Sequence, residues 1–211
     1  LTKLKLNQFS GTSLDKYTTL IMVSGSYKQL GKDEVKKIKK WVDKGNTLIT
    51  IARGSSWAIN SKLINESLVE SKKDSTYSRK NYVESREYIG RERIGGVILR
   101  ADIDLTHPVA FGYNDTSIPV YKNNNVFINK TNNDYSSVAT YSKDFHIDGY
   151  ISELNKKDFI PGAASLIISK IGTGRVVVFA DNPNFRGTWY GTNKLFLNAI
   201  FLGNNISVPS N

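Results

Sequence analysis

The chain has 211 residues, 39% of them hydrophobic and 23% charged, enough to bury a core within one domain or one domain carrying an insertion. No apolar run approaches the ~20 residues needed to span a bilayer, and the absence of cysteine excludes disulfides, thiolate zinc sites and a cysteine nucleophile. A formal charge of +10 raises nucleic acid or an anionic surface as partners, but the lysines between Lys28 and Lys44 mostly decorate the solvent side of one amphipathic helix. No RNA-recognition, zinc-finger or helix-turn-helix pattern accompanies them, so no specific nucleic-acid partner is expected.

Along the chain, Leu4 and Leu6 alternate with lysines and predict a short first strand. Residues 17–23 are an apolar run ending at Ser24-Gly25-Ser26, a strand leading to a tight loop. Gly31-Lys32-Asp33 opens a helix with Val35, Ile38, Trp41 and Val42 on one face and Gly45 just past its end. Residues 47–51 (TLITI) form the next strand, after which Ser55 or Ser56 caps a helix through Trp57, Ile59 and Leu63. Residues 65–93 turn strongly polar and read as an insertion or mobile excursion. Strand character resumes at 94–103, with short β segments at 118–121, 126–129, 137–141, 149–151 and 163–168. Residues 172–201, GTGRVVVFADNPNFRGTWYGTNKLFLNAIF, then give a Gly-x-Gly turn, an apolar strand over 175–179, a polar loop and a closing helix. In an open α/β sheet, ligands sit just beyond the carboxyl ends of such strands.

Four stretches together resemble the class I glutamine amidotransferase-like fold: YTTLIMVSGSY at 17–27, the helix and strand over 35–51, THPVAFGY at 106–113, and FADNPNFRG followed by KLFLNAIF. More specifically, they look like the amidotransferase-like domain found C-terminal to secreted bacterial zinc carboxypeptidase-like proteins. The resemblance implies an α/β domain over 1–211 with an open Rossmann-like, flavodoxin-like sheet flanked by helices, and extra β hairpins in the middle of the chain. It also implies a secreted or periplasmic location, and an upstream peptidase domain of the same polypeptide as partner. The chain begins at Leu1 with no basic-then-apolar leader, so it is read as a piece of something longer, any signal peptide lying outside it.

The family places its nucleophile on a sharp strand-to-helix turn, and the corresponding residues here are Ala52-Arg53-Gly54-Ser55-Ser56-Trp57. A serine there needs a base to become nucleophilic. The family's last strand supplies that base from a His-Pro-Glu sequence; aligned on Pro183, this chain has Asn182-Pro183-Asn184. Amides do not accept and return a proton near neutral pH, so no catalytic residue is assigned, and Gly54 with Ser55 or Ser56 is read as turn and cap. His107 follows Asp102 and Asp104, which share a strand face, and the three offer a metal or Ser-His-Asp arrangement. The plainer reading, in which His107 satisfies loop backbone before Pro108, is preferred; His146 is read as a surface residue.

Arg53, Ser55, Asp181, Asn182, Arg186 and Trp189 are the candidate pocket residues. Arg186 or Arg53 braces Asp181, or else Arg186 meets an anion near the following helix start. The expected function is a non-catalytic accessory domain, structural or substrate-positioning, in a protein whose zinc chemistry belongs to the upstream domain. No cofactor or metal is assigned to this chain. Two other readings stay open: a serine-type hydrolase using Ser55 or Ser24 with His107, and a module binding peptide, glycan or a small anion through Arg53, Arg186 and Trp189.

Overall fold

The computed structural model describes residues 1–70 and 81–209. Its centre is an eight-stranded mixed sheet. Three strands run parallel at one side: β1 (Thr19–Met22), β2 (Thr47–Ile51) and β8 (Gly174–Phe179), with β2 in the middle. The other side is antiparallel, in the order β7 (Ala163–Ile171), β6 (Ser137–Gly149), β3 (Val97–Ile103) and β4 (Ser117–Lys122). The two-residue β5 (Ile128–Asn129) adds to β7. This is the expected α/β class, with antiparallel hairpins in mid-chain.

The central parallel strands β2 and β8 are buried along their whole length and mostly apolar because both their faces are covered. On one face Leu48, Val176 and Val178 pack with Ile38, Trp41 and Val42 of α1 (Lys32–Asp43) and with Ala58 and Ile59 of α2 (Arg53–Asn60). On the other, Ile49, Ile51, Val177 and Phe179 meet Leu195 and Ala199 of α4 (Tyr190–Phe201). Helix α1 forms where the sequence places it: Asp33 and Glu34 complement the positive end, and the Gly31 N–H donates to the Glu34 carboxylate at 2.8 Å. Gly45 then takes φ +108° and ends it.

The polar stretch read as an excursion over 65–93 has ends that are tied down. Leu68 bridges to Ile128, the Val69 N–H donates to the Phe127 carbonyl, and a short helix α3 spans Ser85–Gly90. The remainder of that stretch, 71–80, lies outside the described residues.

Three expectations need correction. Leu4 and Leu6 begin no strand: residues Leu6–Gln8 form a 3-10 turn, and both leucines pack on the core as single anchors. Residues 150 and 151 are not strand either, because β6 is one long element that ends at Gly149, where φ of +91° turns the chain. Gly54 makes no turn and Ser55 and Ser56 cap no helix: α2 begins at Arg53 with Ala52 as its N-cap, and all three residues lie inside it. Strand β7 pairs antiparallel with β8 through a hairpin at Gly172-Thr173-Gly174, where a Cβ on Gly174 would stand 1.8 Å from the Val42 carbonyl oxygen, so only glycine lets α1 end against this turn.

Candidate functional site

Strands β2 and β8 are parallel neighbours, so the segments that leave their carboxyl ends meet at one edge of the sheet. A single residue, Ala52, separates β2 from α2. Its φ/ψ of +49°/−110° lies where L-residues with a side chain are seldom found. The conformation is over-determined: the Ala52 N–H donates to the Phe179 carbonyl at 2.8 Å, and its own carbonyl accepts from the Ser56 N–H at 3.0 Å. Two residues on, a Cβ at Gly54 would lie 2.7 Å from the Met22 carbonyl oxygen, so glycine lets α2 start flush against β1. This is the strained strand–turn–helix elbow on which hydrolases expose a nucleophile. At its apex stands a methyl group, and Ala52 is only 2% exposed.

The candidate residues around the elbow face in different directions. Ser55 is fully buried; its hydroxyl donates to the Phe179 carbonyl at 2.7 Å and lies 2.9 Å from Thr50 Oγ1. It ties α2 to the sheet and does not open onto a pocket. Arg53 is exposed, one residue past the elbow. Arg186 is exposed with φ +52°, its guanidinium 5.3 Å from the Phe185 ring. The Asn182 side chain accepts from the Asn184 N–H at 3.0 Å, and Asn184 in turn accepts from Asn193 on α4 at 2.6 Å. Trp189 donates to the Pro119 carbonyl at 3.3 Å and packs near Tyr121. The loop after β8 is thus laced to α4 and to the outer strand β4.

Asp181 points inward. It is 3% exposed, and its Oδ1 lies 2.9 Å from Nζ of Lys122, which is 0% exposed. Its Oδ2 accepts from the Tyr141 hydroxyl at 2.6 Å and from Ser165 at 2.9 Å. Lys122 Nζ also donates to the Val126 carbonyl at 2.7 Å and sits 4.3 Å from the Phe127 ring centre. The expected brace on Asp181 therefore exists with a different cation, because neither exposed arginine turns toward it. Burial pulls the Lys122 ammonium below its ordinary pKa although Asp181 opposes the shift, and burial together with the Asp181 charge pushes the Tyr141 hydroxyl well above its own. A signal for Lys122 was present in the sequence. In SIPVYK the period of two puts residues 118, 120 and 122 on one face, with Ile118 and Val120 as core.

His107 caps the 3-10 turn Pro108–Ala110, its Nδ1 accepting from the Val109 N–H at 3.1 Å. That bond fixes the neutral tautomer with hydrogen on Nε2, a buried atom that has no partner among the described residues. Burial lowers its pKa, opposed by Asp104. Asp104 itself accepts from the Thr106 N–H and hydroxyl, and Asp102 from Ser142, so the two aspartates and His107 do not converge. Ser24 is exposed in the loop after β1, and His146 is an exposed residue of β6. No group of three or more metal-binding side chains occurs among the described residues, and no helix there is long and apolar enough to cross a membrane. Two cavities, of about 530 Å³ beside Asp43 and Gly172 and about 470 Å³ along Lys36, Lys40 and Lys44, lie away from the elbow.

No protein-family model and no curated protein matches the chain. Solved structures do. A ThuA-like protein from Parabacteroides merdae is 12% identical, with a TM-score of 0.56 over 96% of this chain and 76% of its own. PurLQS from Thermotoga maritima is 16% identical, with a TM-score of 0.53 over 90% of this chain and 81% of that one. A cytoplasmic protein of Salmonella typhimurium is 14% identical, with a TM-score of 0.50 over 99% and 77%. At such identities the likeness speaks for architecture alone, and the architecture is the glutamine amidotransferase-like α/β fold.

Proposed function

We propose that this chain is a non-catalytic amidotransferase-like module, acting as a structural or substrate-positioning domain beside a catalytic domain. In line with the sequence resemblance, that neighbour is a zinc carboxypeptidase-like domain of a secreted protein. The observation that carries the reading is the elbow: the strained backbone is kept, while its apex residue is Ala52. The rest of the edge supports it. Asn182 stands where a base would be needed, Ser55 spends its hydroxyl on the sheet, and His107 spends Nδ1 on a backbone amide. A serine-hydrolase reading lacks any imidazole bonded to Ser55.

Arg53 beside the elbow and Arg186 in the loop after β8, both exposed and without an ion-pair partner among the described residues, favour a second role in meeting a carboxylate or another small anion. Two assays test the proposal. Incubation of the folded chain with L-glutamine should release no ammonia above buffer, and a fluorophosphonate probe should leave it unlabelled. Turnover, or labelling abolished by Ser55→Ala or Ser24→Ala, would contradict it. Joined to its peptidase neighbour, the module should alter KM for peptide substrates and leave zinc content unchanged.

A further inference from the structure

The pair Lys122–Asp181 is placed for more than an ion contact. The two residues are 59 positions apart, and three strands, β7, β6 and β3, lie between their elements in the sheet. Nζ is 2.9 Å from Oδ1, one bond from the carboxyl carbon. The second carboxyl oxygen holds two hydroxyl donors, Tyr141 and Ser165, both buried. The Phe127 ring closes over the amine. We propose that Lys122 and Asp181 condense to an intramolecular isopeptide bond, a covalent staple between β4 and the loop after β8.

The step balances within the pair. Burial favours the neutral form of the Lys122 amine, and the step begins as the ammonium passes one proton to Oδ1. The Nζ lone pair then forms the N–C bond to Cγ. The electrons displaced onto Oδ2 are stabilised by the Tyr141 and Ser165 hydroxyls, which stand as an oxyanion hole. Oδ1 takes the second proton from nitrogen and leaves as water, and Oδ2 remains as the amide carbonyl on the same two donors. Nothing is oxidised or reduced and no outside reactant enters. Fixed proximity supplies much of what the uncatalysed reaction of an amine with an acid lacks. This inference is independent of the proposed function.

Intact mass of the folded full chain tests it. The expected mass is lower than the sequence mass by one water, and a proteolytic digest should contain one branched peptide joining Lys122 to Asp181. Lys122→Arg should restore the full mass. Tyr141→Phe should slow bond formation by about 10²-fold, as loss of one oxyanion donor does. A folded wild-type chain at full sequence mass overturns the proposal, and so does a water loss that maps to any other residues.

Discussion

The turn after β2 and the turn after β8 stand side by side at one edge of the sheet, and each lacks an exposed nucleophile or base in its own way. After β2 the backbone keeps a costly conformation with nothing reactive on it, Ala52 at φ +49°. After β8 a reactive group remains, the Asp181 carboxylate, but it has turned inward onto Lys122, Tyr141 and Ser165. Geometry without a side chain at one turn, and a side chain without access at the other, leave an edge that resembles an active site in outline. Strain at the first is held by hydrogen bonds to Phe179 and Ser56; charge at the second is held by a buried counter-charge and two hydroxyls. That is the pattern expected of the structural role proposed above.

The comparison breaks most sharply at Lys122. Replacing it with methionine leaves Asp181 buried without its partner, whether the two are held by charge or by the proposed amide, and should cost at least about 3–5 kcal/mol in chemical denaturation. Adding Asp181→Leu removes the uncompensated charge and should recover that part of the loss, while any contribution of the covalent staple stays lost. Next comes Gly54→Ala, which drives a Cβ to 2.7 Å from the Met22 carbonyl oxygen and should cost about 1–3 kcal/mol. Ala52→Gly acts the other way: relief of backbone strain should raise stability by about 1 kcal/mol.

A smaller effect depends on pH. Burial holds His107 below its ordinary pKa of 6.5, so the unfolded chain takes up a proton there before the folded one does. Stability should therefore be level above 6.5 and fall as the pH drops below it. His107→Asn keeps a cap on Val109 and should flatten that slope. Arg53→Ala and Arg186→Ala, at exposed positions, should each move stability by no more than about 0.5 kcal/mol. A larger loss from either would mean that these arginines brace the edge after all.

The parallel half of the fold was legible in the residues. Ile38, Trp41 and Val42 recur at helical spacing, TLITI and RVVVF are apolar runs, and Gly31 and Gly45 mark the ends of α1. The antiparallel half was less so, because β6 is exposed over its last residues and carries Lys143, Asp144 and Asp148, which gives no clean alternation. The candidate site divided in the same way. Local sequence marked a turn after β2, since strand ends and glycine are local features, but it pointed to Gly54, whereas the turn is Ala52 alone and Gly54 lies inside α2. The partner of Asp181 came from a strand 59 residues earlier, and only the burial period of SIPVYK hinted that Lys122 points inward. Long-range pairing of charges leaves no nearby trace in the chain.

The elbow is sealed and carries nothing reactive at its apex, and the absence of cysteine from the whole chain allows a clean probe of it. In the Ala52→Cys variant, the single thiol would occupy the apex that is 2% exposed. Its rate of modification by a small thiol reagent, followed under native conditions, should match the rate of opening of the fold and rise with denaturant. Modification as fast as that of a free thiol in native buffer would show an open, accessible apex and contradict the account.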